Sequence, residues 1–294
     1  MHSKNKRAFK NIVYVNGNFI DGYDNHISLM DRGFNLADGV FETMVASNQR
    51  IFCIDDHIKR LACSAEVLNI DLLSANEMKD ILYETVKQND LEYGVLRLTV
   101  TRGIDYNRGL EVHENVTPSI MVRIVPWIGP SADLSEGKRL CFSSVVKNDL
   151  SPLSNVKSLS YTESVIARLY AQTNGFDDAL MLNTKHSVTG ATSSNIFLVM
   201  GGKLITPPKS DGVLPGIARS RIIKLAESMK VPFLEQSITK THIEYSQEIF
   251  ISNIVTGIVP VTNVEESFVS EKPCGPITKE LFELYRNTLM QELA

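Results

Sequence analysis

The chain has 294 residues, 43% of them hydrophobic, and a formal net charge of −4 at pH 7. That length and apolar content suit one large domain or two ordinary ones with sizeable cores, and the slight acidity argues against nucleic acid or an acidic membrane as the main partner. Cys53, Cys63, Cys141 and Cys274 are scattered, with no CxxC pair and no zinc-type histidine spacing, so reduced thiols in the cytoplasm are expected. The basic N-terminus lacks the apolar run of a signal peptide, and no stretch approaches the roughly 18 apolar residues of a membrane span.

Residues 12–20 (IVYVNGNFI) read as a hairpin, because apolar residues alternate on both sides of Asn16-Gly17, a tight-turn dipeptide. A second strand pair is expected over 40–54, turning near Ser47-Asn48. From Asp56 the period changes, and Ile58, Leu61, Ala62, Ala65 and Leu68 share one helical face. Ser74 with Glu77 three residues on makes a capping box for a second helix, with Ile81, Leu82 and Val86 inward. Strands follow over 94–103 and 119–125. The Pro-, Gly- and Ser-rich stretch 126–137 (PWIGPSADLSEG) is the expected linker between an N-terminal domain (1–125) and a C-terminal domain (138–294). The second half reads as strand 139–146, helix Thr162–Thr173, strand 177–182, a hairpin over Gly201-Gly202, a helix after Pro215-Gly216 and a strand-like run over 248–261. The expectation is two α/β (α+β) domains, without repeats.

Several segments hold residue types suited to chemistry. LPGIARSRIIKLA (214–226) opens a helix with Pro-Gly. A helix N-terminus offers N–H groups and a positive dipole end to a phosphate, although most helix starts are ordinary ones. Arg60 lies on the polar side of the helix beginning near Asp56; its planar fork suits phosphate, and surface arginines are common. Lys157, in the loop-like LSPLSNVKSLSY, has an amine able to form a Schiff base and shuttle a proton, yet composition does not separate it from a solvated lysine. TRGIDYNRGL (101–110) carries Arg102 and Arg108, a pairing suited to a carboxylate or to a solvated loop. Dinucleotide, phosphate-loop and nucleophile-elbow motifs are absent, and the histidines show no metal-ligand spacing, so no metal site is expected.

Taken in order, VNGNFI, DRGFNLADGVFET (31–43), DDHIKRLACSA (55–65), LRLTVTRG (96–103), VKSLSY (156–161), GFDDALMLN (175–183), SSNIF (193–197), LITPP (204–208) and LPGIAR (214–219) resemble a known family. It is the class IV group of pyridoxal phosphate (PLP) enzymes, of fold type IV with a D-amino-acid aminotransferase-like two-domain fold. Branched-chain aminotransferases, D-amino-acid aminotransferases and aminodeoxychorismate lyases belong to it. The resemblance runs from Val15 to about Val261. It implies that Lys157 holds PLP covalently and acts as the acid–base group. It further implies that Arg60 binds the phosphate, with the backbone at Ile217 and Ala218 capping it and Ile254 helping through its main chain. Tyr161 falls near the position flanking the cofactor ring, and Phe41 at a position lining the substrate pocket. A small amino substrate bearing a carboxylate and a homodimer, with the active site near the subunit boundary, are also implied.

Within the family, RGIDYNRGL and Asn253 are similar to the lyases. The leading expectation is therefore conversion of 4-amino-4-deoxychorismate to 4-aminobenzoate and pyruvate in folate synthesis, with Arg102 and Arg108 binding the two carboxylates. The alternatives are a class IV aminotransferase using branched-chain or D-amino acids with 2-oxoglutarate, and a PLP-binding member that has lost catalysis. The sequence departs from the family at three places. Gly190 replaces the glutamate that pairs with the pyridine nitrogen and makes the ring a strong electron sink. Water or a hydroxyl such as that of Thr192 could substitute, the chemistry could need less electron sink, or activity could be altered. Ala218 replaces a threonine, and Ala37-Asp38-Gly39 replaces Gly-Asp-Gly.

Overall fold

The computed structural model describes residues 10–24, 27–129, 134–265, 267–268 and 274–294. The chain forms two compact units, Met1–Gly129 with Glu292–Ala294, and Pro130–Gln291. The expected linker at 126–137 lies in part outside the described residues, which omit 130–133.

In the first unit, β1 (Ile12–Val15) and β2 (Asn18–Asp21) form the expected hairpin, with Asn16 and Gly17 at φ 44° and 96°. They join β3 (Gly39–Ser47), β4 (Arg50–Ile51), β5 (Tyr93–Thr101) and β6 (Ser119–Pro126) in an antiparallel sheet ordered β2-β1-β6-β5-β3-β4. Two helices, α2 (Ile54–Val67) and α3 (Ala75–Asn89), pack on this sheet over Met44, Leu61, Leu82, Leu96 and Leu98. The helix expected from Asp56 starts at Ile54, because Cys53 adopts a left-handed conformation (φ 53°) that turns the chain out of β4. The capping box of α3 is complete: Ser74 Oγ accepts from Glu77 N (3.3 Å) and Glu77 Oε2 accepts from Ser74 N (2.9 Å). A short helix, α1 (Arg32–Leu36), has too few residues for an apolar period; it is capped by Asp31, which accepts from Gly33 N.

The second unit is built on a mixed sheet of β7 (Lys138–Lys147), β8 (Asp178–Asn183), β9 (Val188–Ala191), β10 (Asn195–Met200), β11 (Lys203–Thr206), β12 (Phe233–Glu235), β13 (Glu248–Asn253) and β14 (Gly257–Val264). Its order is β12-β11-β10-β13-β14-β7-β8-β9, with β15 (Ser267–Phe268) beside β14. The run over 248–261 is a hairpin: Asn253 pairs with Gly257, and 254–256 form the turn. Alternation sends Leu140, Leu180, Leu182, Ile196 and Leu198 to one core. On the opposite side, Cys141, Ala179 and Met181 meet Ala167 and Ala171 of α4 (Thr162–Thr173), where small residues let the helix sit close. Three more helices complete the unit: α5 (Ile217–Ser228), α6 (Lys240–Glu244) and α7 (Pro276–Leu293). Buried Glu248 accepts from Ile277 N (3.2 Å) and Thr278 N (2.7 Å), so a strand carboxylate caps the start of α7. Among the described residues, no helix is long and apolar enough to cross a membrane.

Ser74→Ala is expected to lower stability by about 1 kcal/mol, the usual cost of a lost N-cap, read as a lower urea midpoint with an unchanged slope.

Candidate active site

Lys157 follows a single turn, Pro152–Asn155, and precedes α4. Its side chain is half-buried, and Nζ donates to the Tyr161 hydroxyl at 3.3 Å. The structure thus brings together the two residues expected at the cofactor ring. The turn is anchored from within by Ser151 Oγ, which accepts from Leu153 N (3.2 Å). With its amide nitrogen facing them, Asn155 donates to the carbonyls of Val213 (2.7 Å) and Lys209 (3.0 Å). The lysine loop is therefore tied to the segment that leads into α5.

That segment ends at Gly216, the N-cap of α5, which has no side chain with which to cap the helix. Ile217 and Ala218 form the buried first turn. Asn195, at the start of β10, donates from Nδ2 to Leu214 O at 3.0 Å, and its Oδ1 lies so close that a Cβ on residue 216 would collide with it. One strand away, Asn253 Oδ1 accepts from Val255 N and Thr256 N (both 2.9 Å), while its Nδ2 donates to Ser194 Oγ (3.0 Å). Asn195 is paired with Ser252 in the sheet, so the start of β10, the Ile254 turn and the start of α5 share one end of it. Ile217 and Ala218 thus open a helix that packs on β13, the strand leading into the Ile254 turn. Asn195 escaped sequence reasoning, since an asparagine in SSNIF carries no local sign of what it clamps.

Gly190, paired with Met181 in β9, has φ 149°, and a Cβ there would lie 2.6 Å from Ser194 O. Reinstating a glutamate would therefore strain the turn between β9 and β10. Nor does Thr192 supply a spare donor, because its hydroxyl donates to Asp178 Oδ1 (2.7 Å) and accepts from Arg168 Nε (3.1 Å). Asp178, buried at the start of β8, takes Arg168 Nη2 on its other oxygen at 2.6 Å. A threonine has one proton to give, and here that proton is spent within the fold.

In the first unit, Arg60 on α2 meets Glu42 of β3 side-on, Nε to Oε1 at 2.7 Å and Nη2 to Oε2 at 2.6 Å. His57 Nδ1 lies 2.7 Å from Oε2, and neither His57 nor Glu42 is exposed. Burial alone would raise the Glu42 pKa, but the hydrogen bonds from Arg60, then His57, outweigh it and bring it down to about 2. Removing one partner of such a buried group costs roughly 3–5 kcal/mol. Phe41, the neighbour of Glu42 in the strand, points to the opposite face. There the guanidinium of Arg97 stacks 3.7 Å from its ring centroid, an arginine that sequence reasoning passed over as a strand residue.

The paired arginines expected at the substrate part company. Arg102 bonds Asp38 from Nε (2.7 Å) and Nη2 (3.0 Å). It also donates to carbonyls just past the end of α2, from Nη1 to Asn69 O (3.0 Å) and from Nη2 to Leu68 O (2.7 Å). Arg32 joins the same Asp38 (2.9 Å) and reaches Glu111 O and Leu110 O, pinning the loop after β5. Burial opposes, but the Arg102 and Arg32 bonds prevail, so the Asp38 pKa is lowered. Arg108 is exposed on that loop.

Residues 39–264 match the class IV amino-transferase family. The chain belongs to it. A Methanocaldococcus jannaschii protein provisionally named a branched-chain-amino-acid aminotransferase is 36% identical over 94% of this chain and 95% of its own. The D-alanine aminotransferase of Bacillus licheniformis is 29% identical over 96% and 98%. Among solved structures, the branched-chain aminotransferase of Thermoproteus uzoniensis with norvaline superposes with TM-score 0.88 at 27% identity, covering 96% and 95% of the two chains. A Legionella pneumophila protein provisionally named a 4-amino-4-deoxychorismate lyase does so with TM-score 0.83 at 29% identity, covering 91% and 97%. The protein is a PLP-dependent enzyme of fold type IV. Its residues fit the cofactor, with a lysine beside a tyrosine hydroxyl and, at one sheet end, a helix start that has no capping side chain and is led in by Gly216, packed against Asn195.

Both Glu42 and Asp38 are more acidic folded than unfolded, so the stability they contribute is present above their unfolded values and lost as pH falls. Urea unfolding is expected to show stability dropping from about pH 4.5 toward pH 2, the range of the Glu42 shift, with a shallower drop in Glu42→Gln.

Proposed function

We propose that the protein is an aminotransferase that moves the amino group of a branched-chain or D-amino acid to 2-oxoglutarate, with Lys157 as its catalytic residue. The engagement of Arg102 carries this reading. Four of its five N–H donors are used by Asp38 and by the carbonyls of Leu68 and Asn69 just past α2. The loop therefore keeps Arg108 alone for a carboxylate, so the arginine pair on which the lyase expectation leaned does not form. The similarity to the archaeal and D-alanine relatives supports the same reading.

PLP, when bound, supplies an electrophilic carbonyl and an electron sink that loosen bonds at the carbon bearing the amino group. Lys157 Nζ holds the cofactor and afterwards takes and returns the proton at that carbon. The Tyr161 hydroxyl accepts a hydrogen bond from Nζ and keeps the amine oriented. In the second unit, the N–H groups at Ile217 and Ala218 and the main chain at Ile254 would bind the phosphate, and the family resemblance gives Arg60 the same role. Phe41 lines the side-chain pocket, and Arg108 orients the substrate carboxylate.

A second reading, the lyase, is favoured by Gly190, since formation of an aromatic product supplies its own driving force and asks less of the ring nitrogen. The similarity to the Legionella structure and the sequence RGIDYNRGL support it. A homodimer is proposed as well, because α4 exposes Val165, Ile166, Leu169 and Tyr170, and the first unit exposes Leu29, Phe34 and Leu110.

Two assays on the purified protein separate the readings: glutamate formed from 2-oxoglutarate with leucine, valine or D-alanine, and pyruvate released from 4-amino-4-deoxychorismate. Amino transfer is expected to dominate; pyruvate release without it would establish the lyase instead. Lys157→Ala is expected to lose the visible absorbance of the holoenzyme and at least about a thousandfold in turnover, and an equally active variant would remove Lys157 from its role. Light scattering is expected to give twice the chain mass.

A further inference from the structure

Glu42 and His57 have no exposed surface, and both are directed at Arg60 or at each other. Arg60 gives the carboxylate two of its five N–H donors, those on one edge of the guanidinium. An ionised carboxylate only accepts, so His57 Nδ1 carries the hydrogen it shares with Oε2, and this bond fixes the imidazole tautomer. Three ionisable groups are thus locked in one arrangement, with strand β3 supplying the anion and α2 the other two, one turn apart. As a source of stability alone such a cluster is a poor choice, since well-packed apolar residues of similar volume do as well or better. Its distinctive product is orientation. A free arginine side chain has wide rotamer freedom, which a ligand must remove on binding. Here the fold removes it beforehand.

We infer that Glu42, braced by His57, is the positioning residue that presents the Arg60 guanidinium to the phosphate of the cofactor. This rests on the reading of Arg60 as a phosphate ligand. Glu42 itself touches neither cofactor nor substrate in this role. It acts by holding one edge of the guanidinium, so its effect is confined to ligands that carry the phosphate and vanishes when Arg60 is absent. A role in general stability has neither signature.

Full-length protein freed of cofactor is titrated with PLP and, separately, with pyridoxal, which has no phosphate, following the visible absorbance. Arg60→Ala is expected to weaken PLP roughly hundredfold and Glu42→Gln about tenfold, with pyridoxal unchanged in both. In the Arg60→Ala background, Glu42→Gln is expected to add nothing. Glu42→Asp, which keeps the charge but shortens the reach, and His57→Gln are expected to give smaller losses, again for PLP alone; if Glu42→Gln fails to fold, these two are read by the same criteria. The inference is overturned if Glu42 variants bind PLP as the parent does, if they lose pyridoxal and PLP equally, or if their loss adds fully to that of Arg60→Ala. An Arg60→Ala variant that binds PLP normally overturns the role of Arg60 and the inference with it. A weakened Arg60→Ala beside unaffected Glu42 variants overturns the inference alone.

Discussion

A carboxylate withdrawn from water has to be paired, and that constraint organises both units. Glu42 is answered by Arg60 and His57, Asp38 by Arg32 and Arg102, and Asp178 by Arg168 with two donors from Thr192. Each group joins more than one element of the fold. Asp38 ties Arg32 of α1 to Arg102 just beyond β5 and, through Arg102, to the carbonyls of Leu68 and Asn69 just past α2. Asp178 connects the start of β8 to α4 and to the turn beyond β9. Glu248 does the same between β13 and α7 using backbone donors alone. Because each charge is costly without its partner, these links resist being broken singly.

At the candidate site the important residues are often the ones lacking a side chain. Gly216 leaves room for the Asn195 amide against the start of α5, and Gly190 leaves room for Ser194 O. Ala218 adds nothing polar to the first turn of the helix. What remains is backbone, and backbone N–H groups at a helix start are well suited to an anion. The asparagines act as fasteners: Asn155 on the lysine loop, Asn195 on the α5 turn and Asn253 on the hairpin turn. Position 190, where the resemblance implies a partner for the ring nitrogen, differs in kind. Gly190 offers no carboxylate, and the one nearby hydroxyl singled out by sequence, Thr192, has its proton committed to Asp178.

Much of the fold was legible because it rests on local signals. Asn16-Gly17 required a tight turn, Ser74 and Glu77 a helix start, and the apolar period from Ile58 to Leu68 a helix. Where the reading slipped, a tertiary contact decided. The run over 248–261 looked continuous because both strands of the hairpin are apolar; the turn between them is held by the Asn253 side chain and closed by Gly257 at φ 67°. The short α1 and α6 were invisible because five residues carry too little period. For the site, Lys157 was picked out only by the order of surrounding segments, and the pairing of Arg102 with Arg108 was an inference from spacing that the Asp38 bonds overruled.

By itself the sequence determined the strands and helices with strong periods, the family to which the chain belongs, and hence its cofactor. It could do so because periodicity, turn chemistry and ordered motifs are properties of neighbours along the chain. Tertiary structure alone decided which arginines are engaged and by what. Arg60, Arg97, Arg102 and Arg108 look alike in sequence, yet one faces a buried carboxylate, one an aromatic ring, one a carboxylate and a helix end, and one the solvent. A guanidinium takes its role from whatever acceptor the fold carries to it, and those acceptors come from distant parts of the chain.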